Sequence, residues 1–134
     1  MTGPLSGLTV IEVSAFIAAP YATLTLAQMG AEVIRIDPIG GGLDFHRWPV
    51  TENGDSLYWT GLNKGKKSVT LNVREPRGRE IATALMTRAG AGKGMVVTNL
   101  PARGWLDFEA LKARRADLIM VNIVGRRDGV VRER

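Results

Sequence analysis

The strongest constraint on the fold of this chain is the spacing of its first two apolar runs. Leu8–Val13 (LTVIEV) and Glu32–Asp37 (EVIRID) are short and rich in β-branched residues, which is typical of buried strands. Between them a helix is predicted to begin near Pro20 and to end at Gly30, because helices favour proline in the first turn and glycine just past the last. The first 37 residues therefore predict one β-α-β unit.

The alternation of strand and helix continues along the chain. Further strands are predicted at Ser68–Val73, Met95–Leu100 and Leu118–Val124. Further helices are predicted from Pro76 onward and over Asp107–Arg115. This order predicts an α/β fold with an open, mostly parallel sheet flanked by helices.

Length and composition restrict the class of protein. With 134 residues, of which 45% are apolar and 23% charged, the chain suits one globular domain and is not disordered. The absence of cysteine and the single histidine, His46, argue against a metal site and a cysteine nucleophile. No apolar run approaches the roughly 20 residues of a membrane span, and the N-terminus lacks the basic region of a signal peptide. A cytoplasmic protein without a membrane partner is expected.

The net charge of +5 suits an anionic partner. Nucleic-acid-binding proteins usually interleave clustered basic residues with aromatic ones, whereas the eight aromatic residues here are scattered, so a phosphorylated small molecule is favoured over nucleic acid. Two basic clusters flank the strand Ser68–Val73 and form either a solvated face or a grip on a diphosphate. They consist of Lys64, Lys66 and Lys67 before the strand and of Arg74, Arg77 and Arg79 after it.

Open parallel sheets bind ligands at the carboxyl ends of their strands. The turn Ser14–Pro20 follows the first strand and leads into a helix N-terminus, but it contains no glycine and so lacks the dinucleotide-binding fingerprint. Asn99 ends a later strand, where its amide either bonds a ligand or caps its own loop. The loop Pro38–Asp55 is long enough to be functional. The residues alone thus indicate an α/β domain that binds a phosphorylated ligand.

Four segments, in this order along the chain, carry a resemblance to a known family. They are PLSGLTVIEVSAFIAAPYATLTLAQMGAEVIRID, LNKGKKSVTLNVREPRGRE, MVVTNLP and ALKARRADLIMVNIVG. From Pro4 to Gly129 the chain resembles the family III CoA-transferases. This resemblance implies a Rossmann-like, CoA-binding large domain, a small second domain and a homodimer of interlocked chains.

The resemblance also implies the chemistry. The substrates would be an acyl-CoA and a dicarboxylic acid, so CoA enters as part of a substrate, and neither a metal nor a redox cofactor is required. The segments DPIGGGLDFHRWP, LYWTGLNKGK, LPARGWL and VGRRDG are most similar to a member that moves CoA between the two carboxyl groups of one dicarboxylic acid. An intermolecular CoA-transferase and a non-catalytic CoA- or nucleotide-binding module are the alternatives.

Matching the segments assigns CoA contacts to the ends of four strands. The assigned residues are Phe16 and Ile17; Leu71, Asn72, Val73 and Arg74; Asn99, Leu100 and Pro101; and Gly125 and Arg126. The chain departs from the family pattern at Pro38, where a basic residue is common, and at Leu100, where an aromatic residue is usual.

The resemblance implies an aspartate nucleophile, which forms a covalent intermediate with the acyl group. Asp128 belongs to the GRRDG segment and does not match that aspartate, which is expected beyond Arg134. No catalytic residue is therefore assigned. Residues 1–134 are expected to form an incomplete large domain, without the small domain and the returning C-terminal segment, and this chain alone is not expected to transfer CoA.

Overall fold

The structure, a computed structural model, describes residues 2–125 and alternates strands with helices as the sequence predicts. In chain order the elements are β1 (Thr9–Val13), α1 (Ala18–Gln28), β2 (Glu32–Asp37), α2 (Leu57–Leu62), β3 (Lys67–Thr70), α3 (Pro76–Met86), β4 (Met95–Thr98), α4 (Phe108–Arg114) and β5 (Ile119–Asn122). A single 3-10 turn, Gly104–Leu106, precedes α4.

The five strands form one sheet in the order β3-β2-β1-β4-β5, and every neighbouring pair is parallel. The chain moves outward from β1 to β2 and β3, then crosses back to place β4 on the other side of β1. Two neighbouring strands, β1 and β4, are therefore followed by connections that leave in opposite directions. This is the switch point at which open α/β sheets bind ligands. The parallel sheet with its helices confirms the predicted α/β fold class.

Helix α1 begins and ends where its sequence requires. Pro20 lies in the first turn, where its missing N–H has no intrahelical acceptor to lose. Gly30 adopts a φ of 103° just after the helix, a conformation that glycine reaches without the steric cost paid by other residues. The chain then reverses directly into β2.

The sheet has an apolar core on each face. On one face Ile11, Ile34 and Val96 pack together with Met86 of α3 and Leu111 of α4. On the opposite face β1, β2 and β4 pack against α1. The residues of that second core are Val10, Val33, Val97, Ala19 and Ala31.

Three predicted strands run at least two residues past the end of the observed ones. The strand predicted at Ser68–Val73 ends at Thr70, because the side chain of Asn72 accepts a hydrogen bond from Arg74 N at 3.2 Å and turns the chain toward α3. The strands predicted at Met95–Leu100 and Leu118–Val124 are shortened to Met95–Thr98 and Ile119–Asn122. Within residues 2–125, no helix is both long enough and apolar enough to cross a membrane.

Candidate functional site

A cavity of about 170 Å³ opens at the carboxyl edge of the sheet. Its walls come from the ends of β1 and β2 and from the segments that follow β3 and β4. Leu71, Val73 and Leu100 give it an apolar lining, to which Trp105 contributes from the 3-10 turn. Asp37, at the end of β2, also belongs to the lining, and its carboxylate accepts from Arg35 and Ser68. An apolar cavity with a few polar groups is the usual form of a small-molecule site.

The turn between β1 and α1 forms one wall of this cavity and is held by two side chains that are distant in sequence. Ala15 N donates to Asn99 Oδ1 at 3.0 Å, and Asn99 Nδ2 donates to Ala15 O at 2.7 Å. Phe16 N donates to Asp44 Oδ2 at 2.9 Å. Phe16 has a φ of 64°, the left-handed region that bulky residues rarely adopt.

Beneath the turn lies a cluster of five buried charged side chains, hereafter the ionic cluster: Glu12, Arg35, Asp37, Asp44 and Lys66. Arg35 stands at its centre, with Nη1 at 3.0 Å from Glu12 Oε1 and Nε at 2.7 Å from Asp37 Oδ1. Its Nη2 lies 3.7 Å from Asp44 Oδ1. Lys66 Nζ lies 2.8 Å from the other oxygen of Glu12. Every member of the ionic cluster thus has a partner of opposite charge, as buried ions require.

The pKa values of two members of the ionic cluster follow from this arrangement. Burial alone raises the pKa of Glu12, but the charge of Lys66 and hydrogen bonds from Lys66, Ser14 and Thr23 outweigh burial and leave the pKa below its usual value. Burial lowers the pKa of Lys66, and the attraction of Glu12 only partly offsets it. Glu12 is therefore held as a carboxylate and is not prepared to act as a general acid.

Ten of the eleven residues assigned to CoA lie within the described residues 2–125. Leu71, Val73 and Leu100 line the cavity, and Phe16 and Ile17 are 40% and 55% exposed where α1 begins. The remaining described residues follow strands β3, β4 and β5 and are at least partly exposed: Asn72, Arg74, Asn99, Pro101 and Gly125. Arg126 lies outside the described residues, as does Asp128.

Two of these side chains are engaged within the protein. The amide of Asn99 does not cap its own loop. Its oxygen and its nitrogen both bond the backbone of Ala15. The side-chain oxygen of Asn72 accepts from Arg74 N. Contacts of these residues with CoA stay predictions.

Not all six basic residues of the two clusters are free to hold a diphosphate, and a grip by the exposed ones stays a prediction. The ammonium group of Lys66 is buried against Glu12, and Lys67 pairs with Glu32 at 2.5 Å. Arg79 donates to the carbonyl oxygens of Val73, at 2.8 Å, and of Arg74, at 2.7 Å. Of these six residues, those that are exposed and have neither an ion pair nor a side-chain hydrogen bond inside residues 2–125 are Lys64, Arg74 and Arg77.

Sequence reasoning missed the ionic cluster and Asp44 in particular. One signal was present: Glu12 interrupts an apolar strand, and Arg35 is its register partner on β2. Asp44 lies in the long loop between β2 and α2, and its position against the β1–α1 turn has no local sequence signature. Among residues 2–125 there is no group of three or more His, Asp or Glu side chains arranged to hold a metal ion.

Comparison with known proteins gives consistent matches. The model of a family described as CoA-transferase family III matches residues 5–129. The chain is 61% identical to 2-methylfumaryl-CoA isomerase from Chloroflexus aurantiacus over 130 residues, which are 96% of this chain and 32% of that protein. It is 34% identical to succinate–glutarate CoA-transferase from Agrobacterium fabrum over 133 residues, covering 91% of this chain and 32% of that protein.

A solved structure is also similar. The crystal structure of a CAIB/BAIF family protein from Brucella suis aligns with a TM-score of 0.77 at 32% sequence identity, covering 90% of this chain and 33% of that one. The chain thus spans about a third of the length of the relatives that it matches.

Proposed function

Because the chain belongs to CoA-transferase family III, we propose that it provides the CoA-binding edge of an enzyme that moves CoA between carboxylates. The reaction proposed is the intramolecular transfer of CoA from C1 to C4 of 2-methylfumaryl-CoA, also called mesaconyl-CoA. The observation that carries the proposal is the cavity at the switch point, whose lining includes Leu71, Val73 and Leu100 from the segments assigned to CoA. The choice of substrate rests on the 61% identity to a relative named for this isomerisation.

The chemistry of the cavity suits parts of CoA. Its apolar walls fit the adenine ring or the pantetheine arm, both of which bury apolar area. Arg74, next to Val73, is exposed and offers a planar fork for a phosphate group. Phe16 and Ile17 add exposed apolar surface at the start of α1. We therefore assign the nucleotide phosphates to Arg74.

No nucleophile is assigned among the described residues. The carboxylates nearest to the cavity, Glu12, Asp37 and Asp44, are all buried in the ionic cluster beside Arg35. A carboxylate that attacks a thioester must reach the carbonyl carbon of the substrate, which these three cannot do without breaking their ion pairs. The nucleophilic aspartate, the homodimer, the small domain and the cytoplasmic location remain predictions from the resemblance and the sequence.

A second candidate is an intermolecular transferase. It is favoured by relatives at 33–35% identity that are named for transfer between two different acids, including a succinyl-CoA–D-citramalate CoA-transferase from Chloroflexus aurantiacus. The two reactions differ in one measurable way, because only the intermolecular one incorporates a free labelled acid into the CoA ester. A CoA-binding module without catalysis is the third candidate.

Calorimetric titration of the 134-residue chain with CoA tests the proposed ligand. One-site binding that weakens with added salt is expected, and ATP, which lacks the pantetheine arm, is the matched control ligand. Failure of CoA to bind a folded chain would overturn the proposal.

For the reaction, the enzyme purified in the form made by its own cells is incubated with C1 mesaconyl-CoA and labelled free mesaconate. Unlabelled C4 ester supports the isomerase, and labelled ester supports the intermolecular transferase.

A further inference from the structure

The two polar ends of one peptide group, between Ala15 and Phe16, are bonded to side chains from two different loops. The carbonyl oxygen of Ala15 accepts from Asn99, which follows β4, and the N–H of Phe16 donates to Asp44, which follows β2. Asn99 also accepts from the N–H of Ala15, so it bonds the turn twice. Together these hydrogen bonds fix the orientation of the peptide plane.

That orientation is not the one that the local backbone prefers. Phe16 is held at a φ of 64°, in the left-handed region that is sterically unfavourable for a bulky residue. A half-turn of the peptide plane would bring Phe16 to an ordinary negative φ. It would also point the carbonyl of Ala15 at the carboxylate of Asp44 and the N–H of Phe16 at the amide nitrogen of Asn99. The two side chains therefore select the strained orientation.

We propose that Asp44 is a positioning residue for CoA binding, which acts with Asn99 to hold the Ala15–Phe16 peptide and with it the turn whose residues Ser14 and Ala15 line the cavity. This rests on the proposed function, since it takes CoA as the ligand of the carboxyl edge. Asp44 is 1% exposed and lies beneath the turn, so its effect on the ligand is transmitted through the backbone of Phe16. It is absent from the set of residues that the family resemblance assigned to CoA.

The two oxygens of Asp44 separate its possible roles. Oδ2 accepts the hydrogen bond from Phe16, whereas Oδ1 has no hydrogen-bond partner in the described part of the chain and faces Arg35 at 3.7 Å. Asp44→Asn keeps an acceptor for Phe16 and removes the charge beside Arg35. Asp44→Ala removes both. A positioning role therefore predicts that asparagine rescues binding and alanine does not.

Asn63→Ala is the matched control. Asn63 Oδ1 accepts from Arg35 Nη1 at 3.1 Å and from Lys66 at 2.9 Å, but the Asn63 side chain makes no hydrogen bond with Ala15 or Phe16. Its removal therefore disturbs the ionic cluster and leaves the turn bonded. Two measurements are made on the full 134-residue chain: CoA affinity by calorimetry and hydrogen exchange of the Phe16 amide by NMR.

We expect Asp44→Ala to bind CoA about tenfold more weakly, because a hydrogen bond to a charged group is lost. The Phe16 amide should also exchange faster in this variant. Asp44→Asn and Asn63→Ala should stay within about threefold of the wild type, a margin that corresponds to less than one weak hydrogen bond. A folded Asp44→Ala with unchanged affinity overturns the inference, as does an Asn63→Ala that loses as much affinity.

Two further outcomes are decisive. If Asp44→Ala does not fold, Asn99→Asp replaces it, because this change removes the donor to Ala15 O and keeps the acceptor for Ala15 N; wild-type affinity in that variant overturns the inference. If the wild type itself does not bind CoA, the proposed function fails. In that case an unchanged exchange rate of the Phe16 amide in Asp44→Ala separately refutes the hold on the peptide.

Discussion

The two sides of the cavity are built by different means. On the β1 side, the turn rests on buried charges, with Glu12 and Arg35 ion-paired at 3.0 Å and both inaccessible to solvent. On the β3 side, the segment Leu71–Arg74 lies near the surface and is held by hydrogen bonds from exposed Arg79 to its carbonyl oxygens. The β1 side of the cavity is therefore supported by buried ion pairs, whereas the β3 side is a surface segment.

This difference predicts different responses to mutation. A desolvated ion pair has no water to replace a missing partner, so removal of one charge leaves the other unpaired in a low dielectric. An exposed hydrogen bond exchanges its partner for water at little cost. Removal of a buried charge on the β1 side should therefore lower stability strongly, whereas removal of an exposed side chain on the β3 side should lower ligand affinity and leave stability nearly unchanged.

The largest effect is expected for Arg35→Met. It removes the central cation of the ionic cluster and leaves the carboxylates of Asp37 and Asp44 without their only cationic partner among the described residues. The free energy of unfolding should fall by about 3–5 kcal/mol, the usual cost of breaking a buried pair. Urea denaturation measures it.

Arg114→Met is the control for that prediction. Arg114 pairs with Glu80 through two hydrogen bonds, at 3.0 and 3.3 Å, but both side chains are about half exposed. Its removal should leave the urea midpoint nearly unchanged. Equal losses in the two variants would contradict the contrast between the sides of the cavity.

Gly78→Ala tests the β3 side by steric means. A Cβ at Gly78 of α3 would collide with the backbone carbonyl of Asn72, which cannot move without displacing the segment Leu71–Arg74. We expect a loss of about 1–3 kcal/mol in stability, as for other overpacked sites, together with weaker CoA binding. Gly61→Ala in α2 is the control, because its Cβ meets no atom within 4 Å. Retention of full CoA affinity in Gly78→Ala would show that the segment Leu71–Arg74 does not contribute to the CoA site.

Arg74→Ala should change affinity without changing stability. Arg74 is exposed and has no ion pair inside residues 2–125, so its loss costs the fold little. CoA should bind about tenfold more weakly, whereas pantetheine, which lacks the nucleotide phosphates, should bind as before. The difference should shrink in high salt, since exposed charges are screened over about 8 Å at physiological ionic strength. Arg77→Ala is the matched control. Equal losses of affinity for CoA and pantetheine in Arg74→Ala would show that Arg74 does not bind the nucleotide phosphates.

The smallest effect is expected in the acid range. The pKa of Glu12 is lowered from 4.5, because the neighbouring Lys66 and its hydrogen bonds overcome the effect of burial. The unfolded chain therefore takes up this proton first, and the stability that Glu12 contributes is present above pH 4.5 and declines as the pH falls through the lowered pKa. Exposed Glu80 also has a lowered pKa, but its contribution is screened by salt. In 0.5 M salt the Debye length is roughly 4 Å, so the contribution of exposed Glu80 is screened. Under this condition the free energy of unfolding should still fall with acid in the wild type, and it should fall less in Glu12→Gln.

The extent of prediction from sequence follows the same division. Strands β1 and β2, with α1 between them, were predictable because their apolar spacing and their proline and glycine signals are local. The end of β3 was not, because the turn at Asn72 depends on one side-chain hydrogen bond that competes with the sheet. The carboxyl edge followed from topology, whereas the contacts of Asp44 and Lys66 arise only when distant loops meet.

The hydrogen bonds of the Ala15–Phe16 peptide have a consequence for the order in which the protein matures during synthesis. β1, α1 and β2 are contiguous in the chain and can pair soon after they leave the ribosome, whereas Asn99 is made 84 residues after Ala15. Until β4 has been added beside β1, the peptide has no partner on that side and is free to adopt its relaxed orientation. If the proposed positioning role holds, a nascent chain should therefore bind CoA only after the fourth strand has joined the sheet.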